Sequence, residues 1–429
     1  MNRLVIIGNG FDLAHGLETS YNQFIDWYWE CVKKKLNEDH GVYKDSLCRV
    51  SRTFESGKVY NRRNDANCEL AESKGLAIFK TFRKYPDIFH VKVEPFLSYI
   101  CDIAIEKWVD IENEYYKLLK KCAQEDPMIS EYTPEALNKQ LNDLKILLAK
   151  YLREQFINKP LRIKAIDNAI YGPISLDEIA VSSSQSWKEY VAGIIQTENT
   201  EWRSKIKNYN LDYIPENFEI EEFLRNSKVL NKGGKIEIET AGNWHGHIVP
   251  DLLMRPDNVL LLSFNYTSTE ELYKKEDISE VNHIHGTIDN PRSMIFGFGD
   301  ELDDAYLELE KQENNSFMEN IKSIRYSESA NYRNLLKFIE SEPYQVVILG
   351  HSCGNSDRTL LHSIFEHENC ISIKPYYYKP DKDTDKFLDL SQSICRNFKN
   401  KKLFRDRLVS KERCAVHPQQ EDIKPKQDN

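Results

Sequence analysis

Apolar and polar positions alternate differently in three parts of this chain. Leu4 to Ile7 is a short, continuous apolar run rich in β-branched residues and closed by Gly8 and Gly10, which predicts a strand buried on both faces. Beyond the turn, Phe24, Ile25, Tyr28, Trp29 and Val32 recur at helical spacing and predict a helix over 21–36. Residues 37–74 are polar with few apolar positions and read as a long excursion over the surface. Phe96, Ile100, Ile103, Trp108, Ile111, Tyr115 and Leu118 then predict one helix over 94–123. Trp108 belongs to its buried stripe, and Asp110 and Glu112 to its solvated shoulder, unless they face the glycine turn. Thr133 and Pro134 read as the cap and first residue of a leucine-rich helix ending near Leu152. Residues 160–240 carry mixed short elements, with a helix expected at 216–227.

The third rhythm begins near residue 256. Apolar strands are expected at 259–264, 281–284, 293–298, 345–349 and 371–378, with helices at 304–324, 328–341 and 356–367. Such alternation predicts an α/β fold with a mostly parallel sheet covered on both faces. The opening strand joins that sheet. The domain reading is therefore a core of 1–74 and 256–400, a large, mainly helical insertion at 75–255, and a polar, loosely ordered tail at 401–429.

Four strands end in polar or glycine-rich signatures: GNGFD, SFNYT, IHG and GHSCGNSD. Ligands of parallel sheets bind beyond the carboxyl ends of the strands, where these loops converge. Gly8 and Gly10 suit a turn with positive φ and a close approach of phosphate to backbone amides at a helix start. The spacing departs from the dinucleotide fingerprint, because Leu13 stands where a third glycine belongs. A plain tight turn is the alternative reading. Asn9, Asp12 and His15 in the same turn favour a site, although Asn and Asp also suit turns and caps.

Length and composition narrow the class. The chain has 429 residues, 40% hydrophobic and 11% aromatic, enough for one large core or two ordinary ones. With 58 basic against 68 acidic residues the net charge is −10, which gives no broad attraction to nucleic acid. No stretch resembles a signal peptide or reaches membrane-spanning length, so a cytoplasmic protein with no membrane partner is expected. Nine scattered cysteines without a CxxC read as reduced thiols. His283 and His285 would share a strand face, and with His245 and His247 they form two H-x-H pairs. No carboxylate completes either at a motif-like spacing, so no metal is expected, and a metal-dependent hydrolase or nuclease stands as the lesser alternative.

Taken in order, GNGFDLAHGLETSYNQF, WVDIE, FNYTSTEELY, IHG and GHSCGNSD resemble the AbiH-type bacteriophage abortive-infection family from residue 1 to about 370. That resemblance implies a cytoplasmic role in antiphage defence. A more distant resemblance is to the sirtuin-like NAD-consuming fold, which implies a Rossmann-like sheet. Gly8, Gly10 and Gly16 keep the spacing of its G-A-G-x-S-x-x-x-G turn, and Asp12 stands at the serine. Ser263 to Thr267 are similar to its T-x-N-x-D motif without the aspartate, His285-Gly286 to its catalytic H-G pair, and Gly350-His351-Ser352 to its late G-x-S loop. The zinc-binding cysteine pairs and the Phe-Arg of the first loop are absent, which argues against protein deacylation and leaves NAD hydrolysis. The resemblance implies Asn265, His285 and Asp12 as catalytic residues and Gly8, Asn9, Gly10, Phe11, Gly350 and Ser352 as nucleotide-binding ones, with NAD as substrate or ligand. A phage-derived trigger and a homo-oligomer are the expected partners, and a non-catalytic nucleotide sensor is the alternative function.

Overall fold

The computed structural model describes residues 1–39, 41–53, 60–124, 132–157, 160–183 and 255–420. The expected helix at 216–227 and the pair His245 and His247 lie outside them. Strand β1 (Asn2–Ile7) leads through Gly8 into the short helix α1 (Asn9–Ala14). Ser20 then caps α2 (Tyr21–Glu38) by accepting from the Gln23 amide, while the Gln23 side chain returns to the Ser20 amide.

The segment read as a polar excursion is structured. Strands β2 (Val42–Lys44) and β3 (Cys48–Arg52) pair with β4 (Phe89–Val93) in a small antiparallel sheet, with helices α3 (Tyr60–Glu72) and α4 (Leu76–Lys84) between. Only Tyr43, Cys48 and Val50 on β2 and β3 turn inward, too few for an apolar run to stand out. The single helix expected over 94–123 is two, α5 (Pro95–Glu106) and α6 (Ile111–Ala123), separated by an extended break. Asp110 caps α6 by accepting from the Asn113 amide. With α7 (Pro134–Gln155), these elements bury one large core that includes Trp29, Phe79, Phe96, Tyr115 and Leu144.

The main sheet contains β5 (Val259–Ser263), β6 (Ser279–His283), β7 (Tyr344–Leu349), β8 (Cys370–Tyr377) and β9 (Ala415–Val416). It has six strands in the order β6-β5-β1-β7-β8-β9, and every pair is parallel. The winding therefore reverses between β1 and β7. Alternate residues serve opposite faces. Leu4, Ile6, Leu260, Val346 and Ile348 pack against helices Asn331–Ser341 and Arg358–Phe365. Val5, Ile7, Leu261 and Val347 pack against Phe11 and helix α8 (Lys164–Tyr171). Arg3 fixes α8 by donating to the carbonyls of Ile170 and Gly172, both at 2.8 Å. Part of the segment read as an insertion thus covers the sheet itself.

Three further expectations are corrected. Residues 293–298 are not a strand of the sheet. Met294, Phe296 and Phe298 enter the helical core while Ile295 faces the sheet's core, so the segment stitches the two together. The helix expected at 304–324 is a pair, Asp304–Glu310 and Lys322–Arg325, with turns and the short 3-10 helix Asn315–Phe317 between. The tail expected to be loose is ordered through 401–420, with a helix at Lys401–Arg407, a buried Arg407 and β9 added to the sheet. Among the described residues no helix is long and apolar enough to cross a membrane.

Candidate active site

Strand ends β1, β5 and β7 meet tightly. The Gly8 amide donates to Leu349 at 3.2 Å, the Phe264 amide to Ile7 at 2.9 Å and the Gly10 amide to Gly350 at 2.8 Å. Gly8 has an extended φ of −130°, so positive φ is not what selects glycine there. The reason is space: a Cβ on Gly8 would lie 2.6 Å from the His351 Cα, and one on Gly10 2.8 Å from the Gly350 oxygen. Gly350 does need φ of +72°, and a Cβ on it would lie 2.1 Å from the Phe11 nitrogen.

Above this junction lies a cavity of about 290 Å³. Of the expected site residues, Gly8, Asn9, Gly10, Asp12, Asn265, His285, Gly350 and Ser352 line it together. Phe11 does not. Its ring is buried under the sheet, edge-on to Tyr273. His15 is also turned away, bonded to the Phe11 carbonyl at 2.7 Å and the Tyr273 hydroxyl at 2.6 Å. Asp110 and Glu112, read as a solvated shoulder, face the cavity from the start of α6. The amides of Gly8, Gly10 and Phe11 are already bonded within the junction, which leaves the turn fewer free donors for a phosphate than its glycines suggest.

The chemistry centres on a buried network. Asp357, last residue of GHSCGNSD, receives Lys322 Nζ on Oδ1 at 2.8 Å, and Lys322 reaches Glu112 Oε2 at 3.1 Å. His285 Nε2 lies 3.2 Å from Asp357 Oδ1, and His351 Nε2 lies 3.6 Å from Oδ2. The Gly297 amide donates to Glu112 Oε1 at 3.0 Å. Phe264 packs between the two imidazoles, at 5.1 Å from His285 and 4.3 Å from His351. Burial alone would raise Asp357, but Lys322 and His285 hold it well below the usual carboxylate range. Burial raises Glu112 against the pull of Lys322. Burial, then Lys322, lowers His285 to about 4. An ionised Asp357 fixes the His285 proton on Nε2 and leaves the lone pair on Nδ1. Tyr326 places its hydroxyl 3.2 Å from the same Nε2.

Asp12 sits on the other side. Burial raises it to about 6, and Thr267 donates to Oδ2 at 2.6 Å. Asn265 Nδ2 donates to the Gly8 carbonyl at 3.0 Å, so its amide oxygen is the end available to a ligand. Lys322, Tyr326 and the role of Asp357 escaped the sequence reading. Asp357 stood within a quoted motif, whereas nothing near Lys322 in sequence marks it.

His283 does not join His285. Its Nε2 faces Glu270 Oε1 at 3.1 Å, and it lines a separate cavity. Among the described residues no group of three or more His, Cys, Asp or Glu has metal-binding geometry. Burial raises Glu270 to about 8, which favours its protonated form at neutral pH beside His283. The folded state then holds this proton more tightly than the unfolded one. Its contribution to stability is complete below about pH 4.5 and is lost as pH rises through 8. Glu270→Gln keeps a donor and removes the titration. It should gain on the wild type from pH 5 upward, by about 3 kcal/mol at pH 7. Urea denaturation from pH 5 to 8.5 checks this, and parallel curves would contradict it.

An α/β fold with a parallel sheet, and a polar cavity beyond its strand ends holding a buried His–Asp–Lys–Glu network, defines the class of the protein. The family profile described as bacteriophage abortive infection AbiH matches residues 4–379, and the chain belongs to that family. Comparison with curated proteins and with solved structures returned no match.

Proposed function

We propose that this chain acts in abortive infection by hydrolysing NAD, in the cytoplasm, at the bond between nicotinamide and ribose. The observation that carries the reading is the convergence of His285, Asp357, Asn265 and Asp12 on one cavity at the carboxyl edge of the sheet. Numbered within the sheet by chain order, the strands run 3-2-1-4-5-6, an order used by dinucleotide-binding sheets, so we read the fold as Rossmann-like. The sirtuin-like comparison remains part of this proposal.

Hydrolysis of the nicotinamide bond expels a neutral base from a cation through an oxocarbenium-like transition state. Asp12, Asp110, Glu112 and Asp357 line the cavity, and no lysine or arginine does so among the described residues. Such a lining suits developing positive charge on the ribose. His285, through Nδ1, would take a proton from water or a ribose hydroxyl, with Asp357 stabilising the imidazolium that forms. Asn265 would orient the ribose or the water through its amide oxygen. Gly8, Asn9, Gly10, Gly350 and Ser352 would contact the rest of the dinucleotide. Onset would depend on a phage-derived trigger, and a homo-oligomer would be the working form.

Two observations favour a second reading, a sensor that binds the nucleotide without turnover. His285, lowered to about 4, is a weak base, and the turn amides are already bonded. Nicotinamide release and total NAD in expressing cells, with and without phage, separate the two. NAD is expected to fall only in infected cells. Unchanged NAD during effective protection would overturn hydrolysis and leave the sensor.

A further inference from the structure

The break between α5 and α6 holds a tryptophan in an unusual position. Backbone at Lys107 is extended (φ −157°, ψ 172°), so neighbouring side chains alternate in direction. Val109 turns into the core, and its amide donates to Asn22 Oδ1 at 3.1 Å. Trp108 consequently turns out. It is 60% exposed, and it lines the mouth of the cavity. Leu13, 41% exposed, lines the same cavity from the position where the dinucleotide fingerprint has its third glycine. Leu148 and Leu152 of α7 also contribute. Exposed Trp108 and Leu13 thus share the cavity with buried Leu148 and Leu152 and with the buried polar groups of Asn265, Thr267, His285 and Asp357.

At about 290 Å³ the cavity is at the lower end of the range for small-molecule sites. A dinucleotide reaching buried His285 would extend toward the mouth, where Trp108 stands. We infer that Trp108 is a stacking platform for the adenine ring of the bound nucleotide and so a residue that sets substrate class. This rests on the nucleotide reading above. A flat, exposed indole beside aliphatic side chains suits a purine, because every base presents a π-face for stacking.

Calorimetric titration of the full chain with ADP-ribose, AMP and ribose 5-phosphate tests it, using wild type, Trp108→Ala and Trp108→Phe. Alanine should weaken ADP-ribose and AMP about tenfold or more. Phenylalanine should restore most of that affinity, and ribose 5-phosphate should bind all three proteins alike. Equal binding of ADP-ribose by wild type and Trp108→Ala would overturn the platform while leaving the nucleotide reading intact. Equal losses for ribose 5-phosphate and AMP would overturn it too, by showing a structural effect. A wild type that binds none of the three would remove the nucleotide reading itself, and the platform with it.

Discussion

His285→Ala is expected to lower the proposed NAD hydrolysis by about 10²- to 10⁴-fold, the usual contribution of a positioned acid–base group. The ring is buried and its Nε2 is directed at Asp357. Removing it deletes the proposed base, while Asp357 keeps Lys322 at 2.8 Å. Asp357→Asn should lose activity as well, since an asparagine side chain neither selects the Nε2–H tautomer nor stabilises an imidazolium. Nicotinamide release by purified protein reads both, and thermal melts beside the assay separate lost chemistry from lost folding. Because burial and Lys322 keep His285 neutral well below pH 6, its acid limb should fall near pH 4. Limbs nearer neutrality would belong to the raised carboxyls, Asp12 among them. Full activity in a folded His285→Ala protein would remove the residue from the mechanism.

The largest effect on stability is expected from Lys322→Met. Lys322 is wholly buried, and Asp357 and Glu112 raise it, against burial, above its ordinary range. Taking away the cation strands two buried carboxyls, and breaking such a pair on one side costs about 3–5 kcal/mol. Both carboxyls should then take up protons in the folded state. The deficit should therefore shrink as pH falls toward 5 and grow above 7. Lys322→Arg should not rescue fully, because a planar guanidinium does not fit where a compact ammonium bridges two oxygens. Urea denaturation at pH 5, 7 and 8.5 measures this. A loss below about 1 kcal/mol at every pH would mean that the network contributes little. Replacing a buried ion pair wholesale by apolar groups is often neutral, so the network is better explained by the orientation it gives His285 than by stability.

The strands of the site were legible because a buried parallel strand writes itself as a run: Leu4–Ile7, Val259–Leu262 and Val346–Leu349 carry no polar residue, and each gives way to a polar loop. From those runs followed the parallel sheet and the meeting of GNGFD, SFNYT, IHG and GHSCGNSD. Helical periodicity was equally legible in α2 and α7. It failed at 107–110, where apolar residues continue the stripe although the chain is extended, and so Trp108 was placed in a core it does not enter.

Burial of charge is what sequence could not supply. Glu112 sits in a helix whose neighbours are acidic, a pattern that reads as solvated, yet the strap at 293–298 and Lys322 close over it. Lys322 lies 210 residues from Glu112 and 35 from Asp357, and no local pattern links residues so far apart. The glycines divide the same way. Their presence at the turn was plain in the chain, but their reason was not, since the atoms that exclude a Cβ at Gly8 and Gly10 belong to the distant loop at Gly350 and His351. Sequence by itself determined the parallel direction of the sheet, five of its six strands and the loops at their carboxyl ends, because apolar runs and turns are local. It also counted 293–298 as a strand and missed β9. Only tertiary structure decided which charges are buried together, which imidazole faces which carboxylate and which aromatic is left at the mouth. Those depend on desolvation and contact between elements that the chain keeps far apart.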